Sequence, residues 1–203
     1  MVAADGLTLV DLPPGSLRAG GHAISEVVRV FVMGPDYPLH HPSVRVTAGS
    51  LGPGSAVLSA EAARSLAAGT GSTVALSLPG GSPRLRLPVS GVADLGQATA
   101  LFSSRRAKKF EEVVYVPHSV IVDRATFDRW VLPAFQAAVA APGGAVKSLP
   151  LSEVDLLVDR SRLSSEPALA LAQTTAIARS VGGLAPGQSH LIDNISNLSL
   201  IHI

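Results

Sequence analysis

Three observations predict an α+β fold for this chain. Of its 203 residues, 47% are hydrophobic, which is enough to bury a core in one domain or in two small ones. Residues 73–92 have the pattern of an antiparallel hairpin, and residues 154–195 that of strand, helix and strand. A hairpin and a βαβ-like unit in one chain indicate a mixed architecture of strands and helices.

The first part of the chain predicts short strands between turns. Leu7–Leu12 alternates weakly and stops at Pro13-Pro14, because proline offers no N–H to a neighbouring strand. Val27–Val32 is a β-branched run that ends before a Gly-Pro-Asp turn. Proline and glycine then recur as far as Ser55, which indicates a structured loop with a strand candidate at Val44–Thr47.

The segment that follows has the clearest local pattern. Val57-Leu58 is strand-like, and Ser59 is placed to cap a short alanine-rich helix by accepting a backbone N–H. Gly69 is placed to end that helix in the left-handed conformation that glycine tolerates. Thr73–Leu78 and Arg84–Val92 then predict an antiparallel hairpin with one polar and one buried face.

The second half of the chain begins with a strand at Val113–Pro117. Asp123 is the predicted N-cap of the next helix, Pro133 is expected to kink it, and Pro142–Gly144 ends it. One face of this helix carries apolar residues at intervals of four: Phe127, Val131 and Phe135.

The last third predicts a βαβ-like piece. A strand at Val154–Val158 precedes a helix capped by Ser164 or Ser165, and a second strand runs from His190 to Ile195. Gly182-Gly183 ends that helix. Its apolar face carries Leu169, Ala172, Ala176 and Ile177.

Charge and composition exclude several functions. The formal net charge is +1, and the 16 basic residues are spread along the chain, so we expect no nucleic-acid partner. The basic cluster at residues 105–109 is followed at once by Glu111 and Glu112, which is typical of a solvated loop. With no cysteine there are no disulfides and no thiolate metal sites. No signal-peptide pattern or stretch of about 20 apolar residues is present, so we expect a soluble piece.

The six histidines do not predict a metal site. His40 and His41 are adjacent, between Pro38 and Pro42, and neither has a partner at the spacing that helical zinc sites use. We expect them to be exposed loop residues. The full set is His22, His40, His41, His118, His190 and His202.

Two serine-histidine-aspartate combinations are present, but neither serine lies in a G-x-S-x-G turn. If the chain were an enzyme, its best pair would be His118 with Asp123. The combinations are Ser119 with His118 and Asp123, and Ser189 with His190 and Asp193.

Carboxylates and glycines suggest no further site. Acidic pairs such as Glu153 with Asp155 fall at turns or strand ends, where carboxylates cap or are solvated. The loop at Gly69–Thr73 precedes a strand rather than opening a helix and has no lysine, so it is not a phosphate loop. We therefore predict no catalytic, cofactor-binding or metal-binding residue and no cofactor.

The order of several short motifs resembles the MacB-type periplasmic core domain, which is the extracytoplasmic domain of FtsX-like and MacB-like permeases of ABC transporters. Each motif is weak alone, but their order is kept from about residue 30 to 197. The motifs are VMGPDYP (Val32–Pro38), Gly49, AVLSAEAARSL (Ala56–Leu66), GSTVALSLPG (Gly71–Gly80), LRLPVSGVADL (Leu85–Leu95), VVYVP (Val113–Pro117) and IDNISN (Ile192–Asn197).

The resemblance implies a porter-like βαβ subdomain with a smaller β-rich subdomain inserted in it. Residues 1–32 and 113–197 would form the porter-like part, residues 33–112 the insertion, and residues 198–203 a tail. Only Leu7–Ile24 stands where the family has a longer strand and helix before the first motif.

The same resemblance implies a non-catalytic domain on the outer side of a bacterial cell membrane. It would couple ATP-driven motion of the permease's own membrane helices to a protein or lipid substrate, with a cytoplasmic ATPase subunit and a second permease copy as indirect partners. A free-standing extracytoplasmic binding module and a hydrolase are the alternatives, and each would need a pocket with convergent groups.

Overall fold

A computed structural model describes residues 3–81, 84–102, 116–141, 150–157, 164–169, 172 and 175–176. The chain divides into two compact units, and the larger holds Asp5–Ser104 and Lys109–Asp155. The sheet, the helices and the polar clusters described below lie in this larger unit, apart from the outer ends of the first and last strands.

The described strands form one mixed sheet in the order β10-β1-β4-β9-β6-β8-β7-β2-β3, and β5 pairs with β8 off this path. The pairs β4–β9 and β6–β8 are parallel, and the other registered pairs are antiparallel. The strands are β1 (Ala3–Leu12), β2 (Leu17–Ala19), β3 (His22–Ala23), β4 (Val28–Val32), β5 (Arg45–Gly49), β6 (Ala56–Ser59), β7 (Thr73–Leu76), β8 (Leu85–Asp94), β9 (Ser119–Val122) and β10 (Leu151–Leu157).

The centre of the sheet is buried on both faces. Val30 and Phe31 on β4 are both 0% exposed, yet they belong to different core clusters, because successive strand side chains point to opposite faces. Val120 and Ile121 on β9 divide between the same two clusters. Two-sided burial explains why these strands are continuous β-branched runs rather than alternating ones.

Helices cover the sheet. They are α1 (Tyr37–His40), α2 (Ala60–Ser65), α3 (Arg124–Thr126) and α4 (Leu132–Ala140), with 3-10 turns at Pro79–Gly81 and Thr99–Phe102. Residues of α2 and α4 pack in the cluster that holds Val30, whereas Tyr37 and Phe102 pack in the cluster that holds Phe31. The predicted α+β class is confirmed.

A π-helical turn, Phe127–Val131, joins α3 to α4. Pro133 has no N–H to continue the regular ladder, and the Leu132 N–H bonds the Phe127 carbonyl five residues back. The predicted kink at Pro133 is therefore a π turn just before it. The apolar face is confirmed, because Phe127, Val131 and Phe135 are all buried.

Several local predictions are confirmed. β1 stops at Leu12, just before the two prolines, and β4 starts one residue later than expected. Ser59 caps α2 by accepting the Ala62 N–H at 3.2 Å. β7 and β8 form the predicted antiparallel hairpin, with Val74 opposite Leu87 in the core.

The end of α2 differs from the prediction. Ala67, not Gly69, takes the left-handed conformation, with φ 48°. The Ala68 N–H bonds the Ala63 carbonyl and the Ala67 N–H bonds that of Arg64, which is a Schellman ending two residues earlier than expected. The helix has only six residues, so its end comes before the glycine is reached.

Two short elements were missed, and one predicted strand lies mostly outside the described residues. The predicted loop after Val32 contains α1, and β2 with β3 forms a small hairpin around Gly20–Gly21. The strand expected at residues 113–117 has its first three residues outside the described part of the chain; the described strand is β9, which begins at Ser119. β9 pairs with β4 on one side and with β6 on the other, and its four residues are buried.

Other predictions lie wholly or partly outside the described residues. The strand at residues 190–195, the IDNISN motif and Gly182-Gly183 are not described. Residues 164–165, 167–169, 172 and 175–176 are helical, in agreement with the predicted last helix, and β10 covers most of the strand expected at residues 154–158. The division into residues 1–32 with 113–197 and an inserted 33–112 stays a prediction.

Candidate functional site

Three residues distant in sequence form the most reactive-looking cluster of the described chain. Ser65, the last residue of α2, has its hydroxyl 3.1 Å from Nε2 of His118. The other ring nitrogen of His118, Nδ1, lies 3.0 Å from a carboxylate oxygen of Glu26. The order serine, histidine, carboxylate is that of a hydrolytic triad. No spacing in the sequence links these positions, which is why they were not predicted.

The surroundings of Ser65 do not suit acyl transfer. An oxyanion needs free N–H donors beside the nucleophile, but the hydroxyl lies at the carbonyl end of α2. The N–H groups of the next three residues already bond helix carbonyls. The Glu26 side chain is 61% exposed. Its carboxylate is close to Nδ1 of His118, but the geometry is not that of a hydrogen bond, so this buried nitrogen has no hydrogen-bond partner in the described residues. The cluster can join α2 to the strand region around β9, but it has no place to stabilise a tetrahedral intermediate.

The structure separates the pair His118 and Asp123 that the enzyme alternative would need. Asp123 caps α3 by accepting the Thr126 N–H at 2.9 Å, and its other oxygen accepts the Gly54 N–H at 2.9 Å. Burial alone would raise the pKa of Asp123, but the hydrogen bonds from Thr126 and Gly54 outweigh it and hold the pKa below its usual value. Ser119 donates its hydroxyl to the Val116 carbonyl. The combination of Ser119 with His118 and Asp123, weighed for the hydrolase alternative, is therefore not formed, and Ser189, His190 and Asp193 lie outside the described residues.

His40 and His41 are not the exposed loop residues that the sequence predicts. His40 Nδ1 lies 2.9 Å and His41 Nε2 3.1 Å from Oδ2 of Asp5 on β1. The ring of Tyr37 stacks on His41 at 4.0 Å, and its hydroxyl donates to Asp155 on β10 at 2.7 Å. Among the described residues, no group of three histidines or acidic residues is placed to hold a metal ion.

Ser59 connects three parts of the fold. Its buried hydroxyl donates to the Pro117 carbonyl at 2.7 Å and accepts the N–H groups of Ala62 and Ser119 at 3.2 and 3.0 Å. One side chain thus caps α2 and fixes the start of β9 against the end of β6. This is a structural role, and the sequence predicted only its capping half.

A groove on the outer face of the sheet carries three arginines. Arg18 on β2 lies opposite Ala75 on β7, which lies opposite Arg86 on β8. The groove has a volume of about 370 Å³ and is also lined by Arg84 and by the turn of β2 and β3. The sequence could not predict it, because the three arginines meet only through the pairing of β2 with β7.

The comparisons with known proteins identify the fold. No protein-family model and no curated protein matches the chain. The periplasmic region of MacB from Actinobacillus actinomycetemcomitans superposes with a TM-score of 0.55 at 11% sequence identity, over 98% of this chain and 75% of that one. The chain has the fold of the MacB periplasmic region. A structure titled "a domain of a putative Permease protein", from Porphyromonas gingivalis, has a TM-score of 0.44 at 10% identity and covers 85% of this chain and 64% of its own.

The MacB periplasmic region is the family that the order of sequence motifs resembles, and that resemblance is confirmed at the level of the fold. In the described part of the chain, no helix is both long enough and apolar enough to cross a bilayer.

Proposed function

We propose that this chain is the extracytoplasmic domain of an ABC-type permease and that it is non-catalytic. It transmits motion of the permease's membrane helices, driven by ATP hydrolysis on a cytoplasmic subunit, to a substrate or partner outside the membrane. The observation that carries the proposal is the likeness of its fold to the MacB periplasmic region over 98% of the chain.

Packing supports a mechanical role. The central strands β4, β6 and β9 carry buried side chains on both faces, and interiors packed in this way transmit strain rather than absorb it. Ser59 and Asp123 add hydrogen bonds that join separate elements. The larger unit is therefore expected to move as one body when it is pulled.

The predicted division of the chain into two parts belongs to the same proposal. A porter-like part of residues 1–32 and 113–197 would continue into the membrane helices. The inserted part, residues 33–112, would carry surfaces for an extracytoplasmic protein or lipid, and a second permease copy would complete the assembly.

Distance measurements on the full-length gene product, reconstituted with its ATPase, test the proposal. The chain has no cysteine of its own, and Leu39 and Trp130 are exposed, so single cysteines there accept spin labels. We expect the distance between Leu39→Cys labels on two permease copies to change by several ångströms between ATP-bound and nucleotide-free states. The distance between labels at both positions of one copy should stay constant. An unchanged distance between copies would contradict the proposal.

The hydrolase alternative has one observation in its favour, the 3.1 Å contact of Ser65 with His118. The exposed position of Ser65 makes Ser65→Ala a mild substitution. A non-catalytic domain predicts that this variant keeps the ATP-dependent distance change and that neither protein cleaves activated esters. Esterase activity that disappears in Ser65→Ala would establish the hydrolase.

A further inference from the structure

Three arginines gather on the solvent face at one corner of the sheet. Because Arg18, Ala75 and Arg86 are register partners on adjacent strands, the Cα atoms of the two arginines are about 10 Å apart. Arg84 lies two residues before Arg86, about 7 Å along an extended chain and on the same face. The opposite face is fixed in the core by Leu87 and its neighbours, so the arginines cannot turn inward.

These side chains line a concave site. Ala75 forms a small floor between Arg18 and Arg86, and the Gly20–Gly21 turn forms one wall of the groove of about 370 Å³. The Nε of Arg18 donates to the Gly15 carbonyl at 3.1 Å, which orients its guanidinium. None of the residues that line the groove is acidic.

The groove differs from most other arginine sites of the described chain, although Arg129, which lies over the ring of Trp130, also has no carboxylate partner there. Arg29, Arg45 and Arg64 each have a carboxylate partner within 3.4 Å or less. Within the described residues, Arg84 and Arg86 have no such partner. Their charge is therefore available to a ligand from outside.

We propose that this groove binds the phosphate groups of anionic phospholipids at a bilayer surface. Each guanidinium group can donate two parallel hydrogen bonds to the oxygens of one phosphate. A cluster of arginines is therefore suited to a phosphate rather than to a neutral ligand. The arginines are exposed and spread about 10 Å across the strands and about 7 Å along the chain, whereas small-molecule sites enclose most of their ligand. An open patch of cations fits a surface that presents many phosphates. The net charge of +1 gives little general attraction to such a surface, so binding depends on the groove.

Sedimentation of the 203-residue chain with vesicles tests this site, whether or not the chain belongs to a permease. The probes are vesicles of phosphatidylglycerol and phosphatidylcholine at 3:7, and of phosphatidylcholine alone, in 0.1 M salt. We expect binding to the anionic vesicles only. The double variant Arg84→Gln/Arg86→Gln should bind about 25-fold more weakly, about fivefold per arginine. Arg84→Lys/Arg86→Lys keeps the charge but loses the paired hydrogen bonds of the guanidinium groups, so its affinity should fall between those of the unchanged chain and the glutamine variant.

A matched control removes the same charge elsewhere. Arg45→Gln/Arg64→Gln replaces two exposed, ion-paired arginines and should bind the anionic vesicles as the unchanged chain does. Equal weakening in both double variants, or no binding to anionic vesicles, would overturn the proposal. Displacement from the vesicles by 10 mM inorganic phosphate at constant ionic strength would assign the groove to free phosphate instead and would also overturn it.

Discussion

Replacing Ser59 by alanine removes a hydroxyl that holds three elements together. The Ala62 N–H at the start of α2 loses its cap, and the Ser119 N–H and the Pro117 carbonyl lose their partner. Ser59 and Ser119 are both 0% exposed, so water cannot replace the lost bond to Ser119 without opening the structure.

The size of the effect follows from these contacts. Loss of a serine N-cap costs about 1 kcal/mol. The unpaired, buried N–H of Ser119 adds about 1–3 kcal/mol. The loss at the Pro117 carbonyl does not add in full, because contributions that share one side chain are not additive. We therefore expect Ser59→Ala to lower the free energy of unfolding by about 3 kcal/mol. In a domain of this size this corresponds to a Tm lowered by about 6–12 °C.

Urea unfolding followed by circular dichroism measures the change. The urea midpoint should fall while the m-value stays constant, because the variant and the unchanged chain expose the same amount of surface on unfolding. Ser72→Ala is the matched control: the Ser72 hydroxyl accepts one N–H, from Gly69 at 3.1 Å, in a half-buried position. It should cost less than about 1 kcal/mol. Equal losses in the two variants would refute the proposed role of Ser59.

Four further substitutions test other parts of the structure by the same unfolding assay. Gly49→Ala should destabilise by about 3 kcal/mol, since its φ is +67° and a Cβ would stand 1.9 Å from the Ser90 carbonyl oxygen; Gly69→Ala, with open space around it, should be neutral or slightly stabilising. Ala67→Gly should stabilise by up to about 1 kcal/mol, because glycine relieves the left-handed strain, and a clear loss would contradict the assigned helix ending. The lowered pKa of Asp123 contributes stability above its ordinary pKa near 4 that is lost as the pH falls through the folded value. The stability deficit of Asp123→Asn should therefore shrink between pH 5 and pH 2.5, and a constant deficit would show that the charge is not involved.

Local patterns of the sequence predicted the parts of the fold that local physics decides. The hairpin β7–β8 followed from alternation and turn residues, and the caps at Ser59 and Asp123 followed from side chains that bond their own helix. The predicted end of α2 was wrong because the helix ends after six residues and Ala67, rather than Gly69, takes the left-handed conformation.

The missed features depend on contacts between distant residues. No local pattern indicates that Glu26 and Ser65 meet His118, or that His40 and His41 meet Asp5. The arginine groove likewise needs β2 to pair with β7. Such sites follow from strand order, which the local patterns of a single sequence do not reveal. The resemblance to the MacB-type domain needed only the order of short motifs.

The side of the membrane on which this chain lies is the most direct test of its function. Leu39 is 78% exposed, and the chain contains no cysteine, so Leu39→Cys in the full-length gene product gives one reporter within this domain. An extracytoplasmic permease domain predicts that a membrane-impermeant maleimide labels this cysteine in cells whose inner membrane is intact, and that the labelled protein sediments with membranes. Labelling only after the inner membrane is broken, or a labelled protein free of membranes, would contradict the account.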